Sequence, residues 1–375
     1  MTGNARCWSV KKTVRSEKKR NKFRAALLEW FDGHRRDLPW RGEHDPYAVW
    51  VSEVMLQQTR VQTVVDYFER WMERFPTVEA LAEASVEEVL QLWSGLGYYR
   101  RARYLHRGAQ QVVEQRDGQV PSTVDELREL PGIGPYTAGA IASIAFGRVE
   151  PLVDGNVMRV IARLFTIEGK PRRSPAKQQI WDLAGKLVDS QRPGDFNQAL
   201  MELGSQVCTT ASPQCTSCVV RPFCAAFAEG EPTRYPQTRD RPDQKPMRAR
   251  CCVVFYDDGE DTKFLLRRRP ETGLLSGLWE FPGVEYEGET WPGVEALAER
   301  LREGCGQPVG QLQQVPGEVT HLFSHRRLQV QVHQLELSRA GQAPQGWRWV
   351  SAQELPEVAS SALLKKVQKL WRNHR

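Results

Sequence analysis

The first residue able to do acid–base chemistry is a glutamate inside an apolar helical pattern. Glu53 lies in the string SEVMLQQT (52–59), and Trp50 and Val54 continue the apolar face of the same predicted helix. A helix glutamate is usually solvated, but one beside an apolar face is partly buried. Burial raises the pKa of a carboxyl group, which lets the group donate a proton at neutral pH. Glu53 is therefore a candidate general acid.

A second carboxyl group, that of Asp154, lies in the string VDGNV (153–157), at the start of a predicted helix over 157–165. An aspartate before glycine most often forms a turn or caps a helix. At a helix N-terminus the carboxylate also stays ionised. Next to a sugar, an ionised carboxylate stabilises the oxocarbenium-like transition state of glycoside hydrolysis. The sequence therefore predicts that Asp154 is either a cap or a stabiliser of positive charge.

Four of the eight cysteines crowd into one segment with the spacing C-x6-C-x2-C-x5-C. They are Cys208, Cys215, Cys218 and Cys224. Without a secretory signal, a tight cluster indicates metal or iron–sulfur ligands rather than disulfides. Four thiolates bind either one zinc ion or one [4Fe–4S] cluster. Spacing alone leaves both open, but the wide x6 and x5 arms favour the cluster.

A glycine-rich turn lies between two helical patterns, in the string LPGIGPYTA (130–138). Gly132 and Gly134 flank one aliphatic residue, so the turn exposes backbone N–H groups where the next helix begins. Such N–H groups and the helix dipole bind a phosphate without reading the base sequence. An ordinary helix–helix turn is the alternative, although the whole string is more specific than a G-x-G pair.

Helices, and after residue 250 strands together with helices, must position these residues. Helical periodicity dominates residues 23–230, whereas strands are predicted over 251–256, 263–267 and 328–337 and helices over 294–302 and 361–372. A length of 375 residues fits two or three domains at about 150 residues each. The predicted parts are a basic disordered tail (1–22), a mostly-α domain (23–228) with the cysteine loop (208–224), a linker (229–250) and an α+β domain (251–375).

Composition excludes several classes of protein. Hydrophobic residues make up 40% and charged residues 26%, and no apolar stretch is long enough to span a bilayer, so we expect no membrane protein and no membrane partner. The net charge is +6, but nine Lys or Arg and one acidic residue lie within the first 24 residues. This tail is either solvated chain or an arm that lies along nucleic acid phosphates.

Together these strings resemble the endonuclease III-type helix–hairpin–helix DNA glycosylases, and among them the adenine DNA glycosylases of the MutY family. The resemblance runs from residue 23 to the end of the sequence. Its strings are LPWR (38–41), SEVMLQQT (52–59), GLGYYR (95–100), LPGIGPYTAGAIAS (130–143), VDGNV (153–157) and the four-cysteine signature. It implies a multidomain fold, with a two-lobed, mostly-α domain that carries a [4Fe–4S] loop and a C-terminal α+β Nudix-like domain.

The resemblance implies a monofunctional enzyme of base excision repair that removes adenine mispaired with 8-oxoguanine or guanine. Glu53 would protonate N7 of the flipped adenine, and Asp154 would stabilise, or briefly bond to, C1′ of the sugar. Water would then complete hydrolysis to an abasic site. The other residues implied to line this pocket are Tyr136, Asn156, Trp40, Arg41 and Gln198.

Further residues match those that hold the DNA. By the resemblance, Gln58 and Tyr98 enter the duplex and fill the gap near 8-oxoguanine, and Gly132 and Gly134 contact phosphate. For Tyr98, as for Trp40, burial in the core is the alternative.

The residue type at Tyr136 distinguishes glycosylases that also cut the DNA backbone from those that only remove a base. Relatives that also cut the DNA backbone carry at this place a lysine, which forms a Schiff base with the sugar. Tyrosine has no amine, so we expect no strong AP lyase activity. Thymine-removing mismatch glycosylases also carry a tyrosine here and are the nearest alternative.

The C-terminal domain resembles the Nudix fold, but its Nudix box is degenerate. The box R-E-U-x-E-E-x-G supplies glutamates that bind a metal ion. Aligned on Gly306, the Arg-Glu pair is reversed to Glu299-Arg300, and Gly304 replaces one glutamate. Pyrophosphate hydrolysis is therefore not expected.

In the MutY family this domain recognises 8-oxoguanine instead. The matching loop residues are Phe323, Ser324 and His325. The implied partner is double-stranded DNA that contains A:8-oxoguanine or A:G mispairs, bound by a monomer. We expect an intracellular protein, cytoplasmic or nucleoid-associated, and the resemblance favours a bacterial one. A catalytically silent lesion-binding protein and a nucleotide-hydrolysing Nudix enzyme are the alternatives from other classes.

Overall fold

The computed structural model describes residue 14 and residues 16–42, 44–170, 175–237, 243–306 and 309–375. The chain forms two compact units. The first unit comprises residues 1–83 and 107–240, and the second comprises residues 84–106 and 241–375. No helix of the described residues is long and apolar enough to cross a membrane.

Helices make up the regular structure of residues 16–237. They are α1 Glu17–His34, α2 Pro46–Leu56, α3 Val61–Arg74, α4 Val78–Glu83, α5 Val86–Leu92, α6 Arg100–Arg116, α7 Val124–Leu127, α8 Pro135–Ile144, α9 Gly155–Phe165, α10 Ala176–Leu187, α11 Pro193–Gln206 and α12 Ala225–Ala228.

Several of these helices begin at side chains that suit a helix N-terminus. Asp45 caps α2 by accepting hydrogen bonds from the backbone N–H groups of Tyr47 and Ala48, and Pro46 occupies the first turn.

The core of the first unit joins α1, α9, α10 and α11. Phe23 of α1 is fully buried and meets Phe196 and Phe223 edge to face, with ring centroids 6.2 and 5.7 Å away. Gly204 of α11 allows a close approach to α9, because a Cβ at this position would lie 2.6 Å from Asn156 Cβ. This packing fixes α9, and with it the residues at its first turn.

The second unit is built on one mixed sheet. Its strands are β1 Lys245–Asp257, β2 Thr262–Arg268, β3 Trp279–Glu280, β4 Gly283–Glu287, β5 Gln313–Leu322, β6 Arg326–Glu336 and β7 Trp347–Ser351. The order is β3-β2-β1-β6-β5, with β4 also paired to β1 and β7 to β2. The long central strands β1 and β6 are parallel, and the other pairs are antiparallel.

Two helices, α13 Val294–Cys305 and α14 Ala362–Arg372, cover opposite faces of this sheet. The buried residues of α13 pack with Cys252 and Val254 of β1, whereas Trp371 of α14 meets Phe255 at 5.1 Å between ring centroids. Because successive side chains of a strand point to opposite faces, these neighbours require one helix on each face. The predicted fold class, a mostly helical domain followed by an α+β domain, is confirmed.

Three boundaries differ from the sequence-based expectations. Helix α1 begins at Glu17, inside the predicted disordered tail, while residues 1–13 and 15 of that tail lie outside the described residues. Strand β1 begins at Lys245, inside the predicted linker, because alternating residues from Met247 onward are already buried. Residues 84–106 belong to the second unit, a long-range association that local periodicity does not report.

Candidate functional site

One cavity of about 160 Å³ in the first unit gathers the residues predicted for catalysis and for the base pocket. Its lining includes Glu53, Asp154, Tyr136, Asn156, Trp40, Arg41 and Gln198. They come from α2, α8, α9, α11 and the segment before α2. The cavity therefore brings together side chains that are up to 158 residues apart in the sequence.

Glu53 is a buried acid and not a solvated helix residue. Its exposed fraction is 4%, and it lies in the third turn of α2, whose residues 47–55 are all buried. Burial raises the pKa of Glu53 to about 7, and the negative charge of Asp154 adds to the effect. The hydrogen bond from Tyr136 and the positive charge of Arg41 act in the opposite direction. Near neutral pH such a carboxyl group exists in both protonation states, as a general acid requires.

Tyr136 is the direct partner of Glu53. Its hydroxyl donates to Glu53 Oε2 from the first turn of α8, and Met201 Sδ lies 3.4 Å from the same hydroxyl. Burial and the nearby carboxylates raise the pKa of Tyr136 well above its ordinary value. The phenol therefore stays protonated and keeps the proton that it shares with the carboxylate of Glu53.

Asp154 is the N-cap of α9, as predicted, and it also lines the cavity, where its role as a stabiliser of positive charge stays a prediction. Its Oδ1 accepts a hydrogen bond from Val157 N at 2.7 Å, and its Oδ2 accepts one from Asn156 Nδ2 at 2.9 Å. Burial raises the pKa of Asp154, although these hydrogen bonds lower it. The sequence analysis predicted that the helix N-terminus keeps Asp154 ionised. The pKa of Asp154 is instead raised, because burial outweighs the hydrogen bonds at the helix terminus.

A buried carboxylate that the sequence analysis missed completes the cavity wall. Glu202 is 1% exposed, accepts hydrogen bonds from Arg36 Nε at 2.6 Å and Nη2 at 3.0 Å, and accepts another from Arg41 Nη2 at 2.8 Å. Burial raises the pKa of Glu202, but the two arginines outweigh burial and hold the pKa below its ordinary value. The sequence contained one signal for Glu202. It lies four residues after Gln198 on α11 and therefore on the same helix face as a predicted pocket residue.

Trp40 is packed in the core and also lies at the cavity. It is buried, meets the Phe68 ring edge to face at 5.3 Å, and also lines the cavity. A large flat side chain fixed by such packing gives the cavity a rigid apolar wall. Gln198 lines the same cavity from α11 and is half-buried.

The predicted hairpin forms a tight turn before α8. Gly132 has a φ of 79°, in the left-handed region that favours glycine, and Ile133 N donates to Leu130 O at 3.2 Å. Gly134 is the N-cap of α8, and within the described residues no side chain caps this helix. The first N–H groups of α8 are thus free of a side-chain acceptor, as an anion site requires.

Gln58 and Tyr98 share an uncommon backbone conformation. Their φ angles are 60° and 48°, in the left-handed region that costs a non-glycine residue about 1–2 kcal/mol. Both side chains are exposed, and the exposed fraction of Tyr98 is 45%. Core burial is therefore excluded for Tyr98. Backbone strain of this kind persists where it serves to present a side chain.

In the second unit, Phe323, Ser324 and His325 form the turn between β5 and β6. Phe323 N donates to Arg326 O at 2.8 Å, and the His321 and Phe323 rings lie 4.6 Å apart. The hydroxyl groups of Ser324 and Tyr98 are hydrogen-bonded at 2.8 Å, and both residues belong to this unit. Two predicted DNA-contacting residues that are 226 positions apart are therefore in direct contact.

The four cysteines of the C-x6-C-x2-C-x5-C segment line one small cavity after α11. Burial and, to a smaller extent, the neighbouring sulfurs raise the pKa of the Cys218 thiol to about 11. Among the described residues, no three His, Cys, Asp or Glu side chains are placed to bind a single metal ion. Four cysteine thiols at one cavity are a donor set that fits an iron–sulfur cluster or a zinc ion.

Two arginines of α9 support the cysteine segment. Arg163 donates to Cys208 Sγ at 3.3 Å and to Thr209 O at 2.7 Å. Arg159 donates to Cys208 O at 2.6 Å and to Asn156 Oδ1 at 2.9 Å. Because Asn156 also donates to Asp154, a continuous chain of hydrogen bonds links the cysteine segment to the carboxylate of the cavity.

Comparisons with known proteins show which families this chain resembles. The family model of the HhH-GPD superfamily base excision DNA repair proteins matches residues 51–186, and that of the NUDIX domain matches residues 250–370. The adenine DNA glycosylase of Mus musculus is 43% identical over 94% of this chain and 78% of its own length. That of Homo sapiens is 42% identical over 93% of this chain and 74% of its own length.

A solved structure of a thermostable thymine-DNA glycosylase matches 56% of this chain and 98% of its own, at 29% identity and a TM-score of 0.52. This likeness covers little more than half of the chain, whereas the adenine DNA glycosylases match nearly all of it. The chain belongs to the adenine DNA glycosylase family.

Proposed function

We propose that this chain is a monofunctional DNA glycosylase that removes adenine mispaired with 8-oxoguanine or guanine and leaves an abasic site. One observation carries the proposal: the buried Glu53, with a pKa of about 7, faces the same cavity as the capped carboxylate of Asp154. A proton donor and a fixed negative charge at one cavity are what hydrolysis of an N-glycosidic bond requires.

In this proposal Glu53 protonates the flipped adenine, which makes the base a better leaving group. Tyr136 holds the Glu53 carboxyl group in place, and the packed ring of Trp40 gives the base an apolar wall. Arg41 and Gln198 offer donors and an acceptor to the edge of the base. Glu202 positions Arg41 through its hydrogen bond at 2.8 Å.

Asp154 stabilises the positive charge that develops at C1′ as the base leaves. Asn156 and Val157 hold its two oxygens in a fixed orientation, so the charge is present before the reaction begins. Among the described residues that line the cavity there is no lysine. A Schiff base with the sugar would need such an amine, which supports the absence of strong AP lyase activity.

The second unit supplies recognition of 8-oxoguanine in this proposal. Ser324 and His325 hydrogen-bond the altered base edge, while Phe323 and the exposed Tyr98 ring stack on neighbouring bases. Gln58 fills the gap near 8-oxoguanine, and the hairpin of Gly132 and Gly134 binds a phosphate. The cysteines Cys208, Cys215, Cys218 and Cys224 would hold a [4Fe–4S] cluster, which would stabilise this segment.

Single-turnover cleavage of duplexes with adenine opposite 8-oxoguanine tests the proposal. In the wild type we expect strand scission only after hot alkali, and in Glu53→Gln we expect none. The control is Glu29→Gln, which alters an exposed glutamate of α1 and should give the same scission as the wild type. Scission without alkali would contradict the monofunctional assignment. Tight binding without scission would favour a lesion-binding protein, and faster base release from T:G duplexes would favour a thymine glycosylase.

A further inference from the structure

Residues 84–106 lie between two helical parts of the first unit in the sequence, yet they belong to the second unit. They contain α5, the turn 93–99 and the start of α6, and they carry the exposed ring of Tyr98. The proposed function uses only Tyr98 of this segment. Two of its other side chains donate hydrogen bonds to one backbone carbonyl group, that of Ser360.

The carbonyl oxygen of Ser360 joins the start and the end of the turn 93–99. Ser94 Oγ and Tyr99 Oη both donate to it, each at 2.8 Å. A carbonyl oxygen has two lone pairs, so these two donors satisfy it. Tyr99 is buried, and its hydroxyl also accepts a hydrogen bond from Gly95 N at 3.0 Å. Both ends of the turn are therefore attached to the same point of the second unit.

That point is held firmly by the sheet. Ser360 is 1% exposed and forms a bridge with Trp279 of β3, whose N–H group donates to Ala359 O at 2.9 Å. The indole of Trp279 also donates to Glu87 of α5 at 3.0 Å. Arg348 lies 4.5 Å from the centre of that ring and donates to Glu87 at 3.1 Å. Strand β3 thus anchors α5 as well as the turn that follows it.

The turn needs such an anchor because its backbone is unusual. Gly95, Gly97 and Tyr98 have positive φ angles of 99°, 76° and 48°, and a tyrosine keeps this conformation only where its surroundings hold it. Inside the turn, Gly97 O accepts hydrogen bonds from Trp93 Nε1 at 3.0 Å and from Arg101 Nη2 at 3.1 Å. These bonds stiffen the middle of the turn, while the anchor decides where its ends lie.

Tyr98 directly precedes Tyr99, so a shift of the buried ring moves the exposed one. The Tyr98 hydroxyl is 2.8 Å from Ser324 Oγ, in the turn between β5 and β6. We propose that Tyr99 and Ser94 are positioning residues for recognition of 8-oxoguanine. By binding the carbonyl group of Ser360, they hold the Tyr98 ring beside Ser324. This inference rests on the proposed function, in which Tyr98 and Ser324 contact the DNA near the lesion.

Binding of the full chain to duplexes with a non-hydrolysable adenine analogue opposite 8-oxoguanine or guanine tests the inference. Tyr99→Phe and Ser94→Ala each remove one donor to Ser360 O. Each should lower the preference for 8-oxoguanine over guanine by about two- to tenfold, mainly through weaker binding of the 8-oxoguanine duplex. Tyr256→Phe is the matched control, because it removes a hydroxyl from a partly buried ring of β1 in the same unit.

The same substitution in a Tyr98→Ala background separates positioning from a general effect on the fold. If Tyr99 acts through the Tyr98 ring, Tyr99→Phe should cause no further loss of preference once that ring is absent. A merely structural role would weaken binding to both duplexes equally, and its effect would persist without the ring. Either of these two results would overturn the inference, as would an unchanged preference in Tyr99→Phe.

Amide hydrogen exchange distinguishes failure of this inference from failure of the proposed function. Gly95 N loses its acceptor in Tyr99→Phe, so the peptide that contains the turn should exchange about two- to tenfold faster than in the wild type or in Tyr256→Phe. Unchanged exchange would contradict the anchor itself. Equal binding of both duplexes by the wild type would instead contradict the proposed function and with it the recognition role, whatever the exchange shows.

Discussion

Removal of the Tyr136 hydroxyl should move the pH dependence of base release in a direction that the structure specifies. This hydroxyl donates to Glu53 Oε2 and thereby lowers the pKa of a carboxyl group that burial has raised to about 7. A hydrogen bond to a charged acceptor contributes about 1.5–3 kcal/mol, and one pKa unit corresponds to about 1.4 kcal/mol. In Tyr136→Phe the pKa of Glu53 should therefore rise by about 1–2 units.

The sign of the effect on the rate follows from the role of the acid. Only protonated Glu53 can donate, so the wild-type rate constant should fall above about pH 7 by roughly tenfold per unit. In Tyr136→Phe this alkaline limb should begin at about pH 8–9 instead. The variant should lose part of its maximal rate but keep more of it at alkaline pH than the wild type does.

The assay is single-turnover release of adenine from A:8-oxoguanine duplexes between pH 5 and pH 10, with enzyme in excess so that product release does not contribute. Tyr67→Phe removes a hydroxyl from α3 at a residue outside the cavity lining, and it should leave the profile unchanged. Glu53→Gln should remove the limb together with the activity. An alkaline limb that stays in place, or moves to lower pH, in Tyr136→Phe would refute the assignment of Glu53 as the titrating acid.

Four further outcomes follow from the structure. Glu202→Gln weakens a buried ion pair with two arginines and should lower the free energy of unfolding by about 3 kcal/mol in urea titrations, whereas Glu29→Gln should have little effect. Ser324→Ala should reduce the preference for A:8-oxoguanine over A:G by about two- to tenfold in binding measurements, and an equal loss for both duplexes would contradict its role. Purified protein should contain iron and acid-labile sulfide in equal amounts, both reduced in Cys218→Ser; zinc without sulfide would contradict the cluster. Deletion of residues 1–13, which spares α1, removes three basic residues and should lower the salt slope of DNA binding by up to about 3, whereas an unchanged slope would contradict the basic arm.

Local sequence was sufficient to identify the elements that carry the cavity. Apolar periodicity predicted the helix of Glu53, and the cap signal of Asp154 predicted the start of α9, because both depend on neighbours within one or two turns. Alternation likewise predicted β6, and the turn at residues 257–259 marked β2 and the central part of β1. Such signals report which face of an element is buried, but they do not report what buries it.

The contacts between distant segments could not be predicted in this way. Glu202 is held by arginines more than 160 positions earlier, and no local pattern relates them. The hydrogen bond between Tyr98 and Ser324 likewise depends on residues 84–106 belonging to the second unit. The sequence named both residues as DNA contacts through the family resemblance, whereas only the structure brings them together.

The two carboxyl groups of the cavity can be assigned different roles from their partners alone. Glu53 has one side-chain donor, that of Tyr136, and burial dominates its titration, so the carboxyl group is partly protonated near neutral pH. Asp154 is also buried, but the backbone of α9 and the amide of Asn156 donate to its two oxygens, and those donors favour the ionised form. The negative charge of ionised Asp154 in turn raises the pKa of Glu53 and so favours the protonated form of Glu53. Burial raises the pKa of both carboxyl groups, but only Asp154 has backbone and amide donors on both of its oxygens, and this difference in partners assigns Glu53 as the acid and Asp154 as the electrostatic stabiliser.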